Sequence, residues 1–275
     1  MKTQAEKAEA FRALHARPQA FIIPNPWDIG TARLLEHLGF EALATTSAGY
    51  AFSVGKPDNA ADRLAVMQHV ADLASASDLP VSADLGNGFG DDPQAASKAI
   101  SLAAQAGAVG GSIEDDSGRR DHPIYEQAHA AERVKAAVEA ARALPFPFTL
   151  TARAENYLCG KPDLKDTIQR LQLYQSMGAD VLYAPGIVKR EDIATLVRAV
   201  DRPVNVLTAI PGATLSLQEL SALSVRRVSV GSALSRLAVT AVLRAAQEMR
   251  DKGTFTFAEN ALNFSEINKL FTARR

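Results

Sequence analysis

Eight short apolar, β-branched runs, each followed by a longer stretch with helical periodicity, constrain this chain more than any other feature. The runs fall at 21–24, 42–46, 81–85, 110–114, 148–152, 181–184, 204–208 and 227–231. Between and after them the spacing predicts helices at 29–37, 59–74, 93–106, 127–143, 164–177, 190–200, 216–223 and 233–250. In the second of these, Leu64, Met67 and Val70 recur on one helical face. Asp92 before Pro93 reads as an N-cap followed by proline at the first helical position. Links such as Met177-Gly178-Ala179-Asp180 place glycine where a helix ends in the left-handed conformation.

Strand–helix alternation of this kind requires a parallel sheet with helical crossovers, and eight strands are the number that closes a barrel. A (β/α)₈ barrel typically needs about 250 residues, so the 275 present are expected to form one domain spanning 1–275. A doubly wound open sheet is the competing arrangement. Two segments fall outside the pattern. Residues 2–16 read as a helix before the first strand. Residues 255–271 follow the eighth helix and carry Phe255, Phe257, Leu262, Phe264, Ile267, Leu270 and Phe271, too apolar for a free tail.

Charge and cysteine usage narrow the function classes. A net charge of −1 with interspersed signs gives no electrostatic footprint for nucleic acid. The opening residues 1–9 are polar and lack the apolar core of a signal peptide. No apolar run approaches the roughly 18 residues of a membrane span. The single cysteine, Cys159, cannot form an internal disulfide and fits a reducing compartment, so a cytoplasmic location is expected.

In such barrels the active site gathers at the C-terminal ends of the strands. The polar residues predicted there are Asn25 and Asp28 flanking Trp27, then 45–50, Asp84 and Asn87, Glu114-Asp115-Asp116, Arg153 and Glu155, Tyr183, Asn205 and Thr208, and Ser229 and Ser232. Asp84 and Glu114 end adjacent strands, and such oxygen ligands suit Mg²⁺, which keeps several waters and completes its shell with substrate oxygens. Read alone, Asp84 could equally cap a helix or pair with Arg153, and Glu114 could be a solvated loop acid. None of the five histidines ends a strand, which argues against a histidine-rich zinc site. Arg153 lies in an apolar strand, where its charge demands a partner; it can clamp a ligand carboxylate or pair with Glu155 or Asp84. The glycine-containing stretch at 45–50 can present backbone N–H groups to a carboxylate or phosphate. Val230-Gly231-Ser232-Ala233, opening the last helix, could do the same for a phosphate.

Taken together, Asn25-Pro26-Trp27-Asp28, Thr46-Ser47-Ala48-Gly49 leading to Gly55-Lys56-Pro57-Asp58, Ala83-Asp84-Leu85-Gly86-Asn87-Gly88-Phe89-Gly90, Gly111-Ser112-Ile113-Glu114-Asp115 and Thr151-Ala152-Arg153-Ala154-Glu155 resemble the isocitrate lyase/phosphoenolpyruvate mutase superfamily. The motifs come in the family's order from the first strand to the fifth; the downstream half fits more loosely, through Asn205 and the terminal helices. The resemblance implies a barrel that exchanges its C-terminal helical segment between subunits of a homodimer or homotetramer. It implies Mg²⁺, with Mn²⁺ as a substitute, held by Asp84 and Glu114 with Asp58 nearby. It implies a small 2-oxo acid bound by Trp27, Thr46, Ser47, Ala48, Gly49, Asp84, Arg153 and Asn205, with Asp58, Arg153 and Glu114 taking part in catalysis.

The sequence also departs from that pattern. The lyases carry a Lys-(Lys/Arg)-Cys-Gly-His loop after the fourth strand, where this chain reads Ser117-Gly118-Arg119-Arg120-Asp121-His122-Pro123. The second acid of Asp-x-Asp is Gly86. Classical isocitrate lyase activity is therefore not expected. The expected activity is a Mg²⁺-dependent lyase or decarboxylase acting on a pyruvate-, oxaloacetate- or 2-oxoglutarate-like acid through a metal-stabilised enolate, with C–C cleavage favoured over P–C. The alternatives are a 2-oxo acid binding protein without turnover and a barrel enzyme acting on a phosphorylated substrate.

Overall fold

The computed structural model describes residues 2–272. Its strands are β1 (Phe21–Ile23), β2 (Leu43–Ala44), β3 (Val81–Asp84), β4 (Gly110–Glu114), β5 (Thr149–Arg153), β6 (Val181–Tyr183), β7 (Val204–Leu207) and β8 (Arg227–Ser229). They pair in parallel in the order β1-β8-β7-β6-β5-β4-β3-β2. Between β1 and β2 the Ala44 N–H donates to the Pro24 carbonyl at 3.1 Å, so the sheet is nearly closed. This is the (β/α)₈ barrel that the alternation predicts. Most strands are one to three residues shorter than the apolar runs, because their last residues turn out of the ladder to form the mouth.

The helices are α1 (Gln4–Ala16), α2 (Ile29–His37), α3 (Ser47–Ser53), α4 (Arg63–Ala76), α5 (Pro93–Gln105), α6 (Gln127–Arg142), α7 (Leu164–Ser176), α8 (Arg190–Arg198), α9 (Leu217–Ala222), α10 (Ala233–Lys252) and α11 (Phe264–Thr272). Local chemistry sets their starts. Thr3 and Glu6 form a capping box on α1, as Ser216 and Glu219 do on α9. Asp62 accepts from the Ala65 N–H at 3.0 Å, so α4 begins at Arg63, four residues after the periodicity suggests. Asn59, with φ 61°, lies outside any helix. Asp92 occupies the N-cap position of α5, but its side chain makes no cap hydrogen bond. The helix α3 was not expected; its apolar stretch is too short to show a period.

Helix α1 covers the N-terminal end of the barrel. Phe11 and Leu14 pack with Phe21, Ile23, Ala42 and Val109 at the strand starts. The rings of Phe11, His15 and Phe21 meet edge to face, with centroids 4.7 to 6.5 Å apart. Phe11 leaves no room for a Cβ at Gly110, which would lie 2.7 Å from its ring. Above this apolar floor the barrel interior turns polar: Ser82, Ser112, Thr151, Asn205, Arg227 and Ser229 are all buried. Barrel interiors of this type are usually filled with branched apolar residues, so a polar layer leaves space for ligand and water.

The eighth helix departs from the expected ring. Of α10, only Ser235 is buried, and Leu237 and Val242 are 67% and 69% exposed. The segment beyond it forms a 3₁₀ turn at Thr256–Asn260 and then α11, with Phe264 84% exposed. The exposed apolar surface thus begins about a helix earlier than the sequence pattern indicates. Amphipathic periodicity shows that a face will be covered without showing by what. Among the described residues, no helix is long and apolar enough to cross a membrane.

Candidate active site

Strands β3, β4 and β5 end in Asp84, Glu114 and Arg153, and strand register brings these three together. Glu114 lies directly opposite Arg153, and Asp84 opposite Ser112. The Arg153 guanidinium bonds Asp84 Oδ1 at 2.9 Å, Glu114 Oε2 at 3.0 Å and Glu155 Oε1 at 2.8 Å. Its plane lies over the Tyr183 ring, 5.1 Å from the centroid. Both modes of pairing considered for Arg153 are therefore present, and Glu114 joins them. One cation faces three carboxylates in a largely desolvated site.

The electrostatic consequences follow from burial. Loss of solvent pushes the Glu114 carboxyl well above its ordinary range, a rise that Arg153 opposes and Glu155 and Asp84 reinforce. Burial likewise raises Glu155 to about 7, again against Arg153. The carboxylates in turn hold the Arg153 guanidinium firmly protonated despite its burial. Glu155 reads from the sequence as a pairing partner for Arg153, and the structure shows that pairing.

The stretch after β2 becomes the N-terminus of α3. Thr46 caps it, accepting from the Gly49 N–H at 3.2 Å, and the Ser47 N–H donates to Asp84 Oδ2 at 3.0 Å. The Ala48 N–H has no acceptor among the described residues and, with Ser47, borders the same cavity as Asp84 and Arg153. A Cβ at Gly49 would lie 2.5 Å from Thr46 Cγ2 and 3.3 Å from Trp27 Cβ, so only glycine lets α3 sit against Trp27. Trp27 itself packs there and does not line the cavity.

That cavity, about 190 Å³, runs from Asp58 and Ser232 at the mouth down to Arg227 in the barrel. Asp58 sits on the exposed loop above it, accepting from the Asn59 N–H at 2.9 Å. Asn205 lies deep, donating to Ser229 Oγ at 2.9 Å. A second cavity of about 250 Å³ opens beside it, sharing Ser47 and Asp84 and lined in addition by Glu114. The structure therefore brings together Asp58, Thr46, Ser47, Ala48, Asp84, Arg153 and Asn205 in one cavity and Glu114 at its edge, while Gly49 and Trp27 support the wall.

Two other features bear on the chemistry. The N–H groups of Val230 and Gly231 both donate to Asn25 Oδ1, at 3.1 and 2.9 Å, and so are engaged within the protein and not held open for a phosphate. In the loop after β4, Ser117 bonds the His122 carbonyl, and Cys159 Sγ approaches the Pro123 carbonyl at 3.7 Å. Burial and nearby carboxylates push the Cys159 thiol up to about 12, which makes it a poor proton donor or nucleophile near neutral pH.

The oxygen donors fit magnesium. Among the described residues no three His, Cys, Asp or Glu side chains are arranged as a complete ligand set. Magnesium is usually held by one or two carboxylates and completes its octahedron with water and substrate oxygens. Asp84 and Glu114 meet that need. Glu114 Oε1 has no hydrogen-bond partner among the described residues and faces the space beside Gly86, 3.7 Å from where a Cβ would stand there. That opening is where the resemblance would place a second aspartate, and water can occupy it.

The fold and the acid–arginine cluster at the strand ends define a TIM-type (β/α)₈ barrel with its polar site at the C-terminal ends of the strands. Residues 11–250 match the family described as phosphoenolpyruvate phosphomutase, and the chain belongs to that family, within the isocitrate lyase/phosphoenolpyruvate mutase superfamily of lyases and mutases. A solved structure from Burkholderia cenocepacia J2315, named provisionally as a lyase/mutase, is 64% identical with a TM-score of 0.96, covering 98% of this chain and 97% of that one. A 2-methylisocitrate lyase of Bacillus subtilis (strain 168) is 29% identical, covering 74% of this chain and 67% of the relative. An oxaloacetate decarboxylase of Bradyrhizobium sp. is also 29% identical, covering 74% of this chain and 70% of the relative.

Proposed function

We propose that the protein is a Mg²⁺-dependent lyase, of decarboxylase or C–C cleaving type, acting on a small 2-oxo acid. The observation that carries this reading is the single guanidinium shared by Asp84, Glu114 and Glu155 beside the start of α3. Burial favours the protonated form of Glu114 and Glu155 in this crowded cluster, and a divalent ion bound there would displace those protons and take their place against the carboxylates. Bound magnesium would stabilise negative charge developing on the substrate's 2-oxo oxygen as the bond breaks.

The protein's own groups do the rest. Arg153, together with the Ala48 N–H at the start of α3, would orient the substrate carboxylate. Glu155, buried behind Arg153 and raised to about 7, helps hold the guanidinium in place. The absence of a reactive thiol in the loop after β4 argues for cleavage that needs no strong dedicated acid, as in decarboxylation. The oxaloacetate decarboxylase among the relatives supports that preference. Two copies of the chain are expected to pair, each covering the other's α10 and α11.

Asp84→Asn and Glu114→Gln keep the hydrogen-bonding shape and remove one charge each. Both are expected to remain folded by circular dichroism. The parent protein is expected to show Mg²⁺-dependent thermal stabilisation by pyruvate or oxalate, and both variants should lose it. Undiminished stabilisation in both variants would remove the metal assignment.

A further inference from the structure

Arg227 is buried, only 5% exposed, on β8 below the site just described, and it forms no ion pair among the described residues. The groups it contacts by hydrogen bonding are all neutral. Nε donates to Asn205 Oδ1 at 3.0 Å, and Nη2 donates to Thr151 Oγ1 at 3.0 Å. Nη1 approaches His15 Nε2 at 3.5 Å. His15 Nδ1 lies 2.9 Å from the Phe11 carbonyl, so it is the donating nitrogen, and Nε2 is left to accept. Burial and the adjacent Arg227 push His15 down to about 3, which keeps its ring neutral. A guanidinium has five N–H donors, and three contacts leave two of them over.

A buried cation without an anion is costly. Burial, and Arg153 nearby, push Arg227 down to about 10, yet it stays charged near neutral pH. The surroundings are built to accommodate something. Arg227 lines the floor of the cavity that has Arg153 and Asp84 higher in its wall, and small hydroxyl residues, Ser82 and Ser112, occupy the intervening layer. Thr151 and Arg153 face the same side of β5, two residues apart. The Arg227 contact with Thr151 therefore sits two residues, about 7 Å, along the strand from Arg153, a depth that a short diacid could bridge.

We propose that Arg227 forms an anion-binding floor that receives the second carboxylate of a dicarboxylic 2-oxo acid whose 2-oxo end lies at Arg153, Asp84 and Glu114. This rests on the 2-oxo acid reading above and narrows it. A single guanidinium lined by hydroxyls matches one singly charged carboxylate, held by charge-assisted hydrogen bonds. The Asn205 contact with Ser229 and Arg227 fixes the guanidinium in place.

The test compares oxaloacetate with 2-oxobutyrate, equal in carbon number but differing by one carboxylate, in the full chain with saturating Mg²⁺, each read by calorimetric titration where it is not turned over and by its KM where it is. The protein should bind oxaloacetate at least about tenfold more tightly. Arg227→Gln should erase that preference, chiefly by weakening oxaloacetate. Arg227→Lys, which keeps the charge, should retain part of it. The preference in the unaltered protein decides the matter even if the glutamine variant does not fold. Equal affinities there, or a preference that survives in Arg227→Gln, overturn this proposal alone. Failure of both acids to bind overturns the 2-oxo acid reading along with it. Tighter, Arg227-dependent binding of 3-phosphonopyruvate than of oxaloacetate would place a phosphonate at the floor and overturn the carboxylate assignment.

Discussion

Arg153→Met is expected to destabilise the metal-free protein by about 3–5 kcal/mol, the usual cost of removing one partner from buried charges. The variant leaves Asp84, Glu114 and Glu155 facing one another without the cation that now bonds all three. Part of the loss should be recovered on acidification, because protonated carboxyls no longer repel. The gap from the parent protein should therefore narrow from pH 8 to pH 5. Arg153→Lys should keep more stability but weaken 2-oxo acid binding by about 1–3 kcal/mol, since an ammonium cannot reproduce the planar fork. Urea unfolding at the two pH values reads both effects. A methionine variant as stable as the parent at pH 8 would show that the cluster is not held together as described.

The second large effect concerns the C-terminal arm. Phe255, Leu262 and Phe264 are 65%, 57% and 84% exposed, and the apolar surface continues back along α10. Covering such side chains is worth about 1.5–3 kcal/mol each, and a patch of this extent marks an interface. Truncation after Gly253 is expected to give a protein that dissociates or precipitates, read by light scattering coupled to size-exclusion chromatography. Because α10 is itself exposed, the truncated chain keeps an uncovered face, and poor solubility is the expected result. A soluble truncated chain with the assembly size of the intact protein would show that the arm does not hold the subunits together.

Much of this architecture was legible in the sequence. The strand–helix alternation fixed both the barrel and the strands that carry Asp84, Glu114 and Arg153, because short buried parallel strands are near-continuous apolar runs. What escaped was set by three-dimensional pairing. Arg227 lies at the start of β8, outside the strand-end positions where barrel chemistry is usually sought, although an arginine within an apolar strand is the same signal that drew attention to Arg153. Trp27 sits in a motif with site residues yet packs behind the wall, since proximity in sequence does not fix which face of a turn a ring takes. The capping of α3 by Thr46, and the use of the Val230 and Gly231 N–H groups by Asn25, depend on contacts between segments far apart in the chain.

The central claim is that Asp84, Glu114 and Arg153 form a magnesium-dependent site that cleaves a 2-oxo acid. It is tested most directly by following oxaloacetate and a panel of substituted 2-oxo and 2-hydroxy diacids by proton NMR, with Mg²⁺ and with excess chelator. Cleavage of at least one acid that requires Mg²⁺ and is lost in Asp84→Asn is the predicted result. Cleavage that persists unchanged in chelator and in that variant, or no cleavage of any acid with Mg²⁺ present, would contradict it.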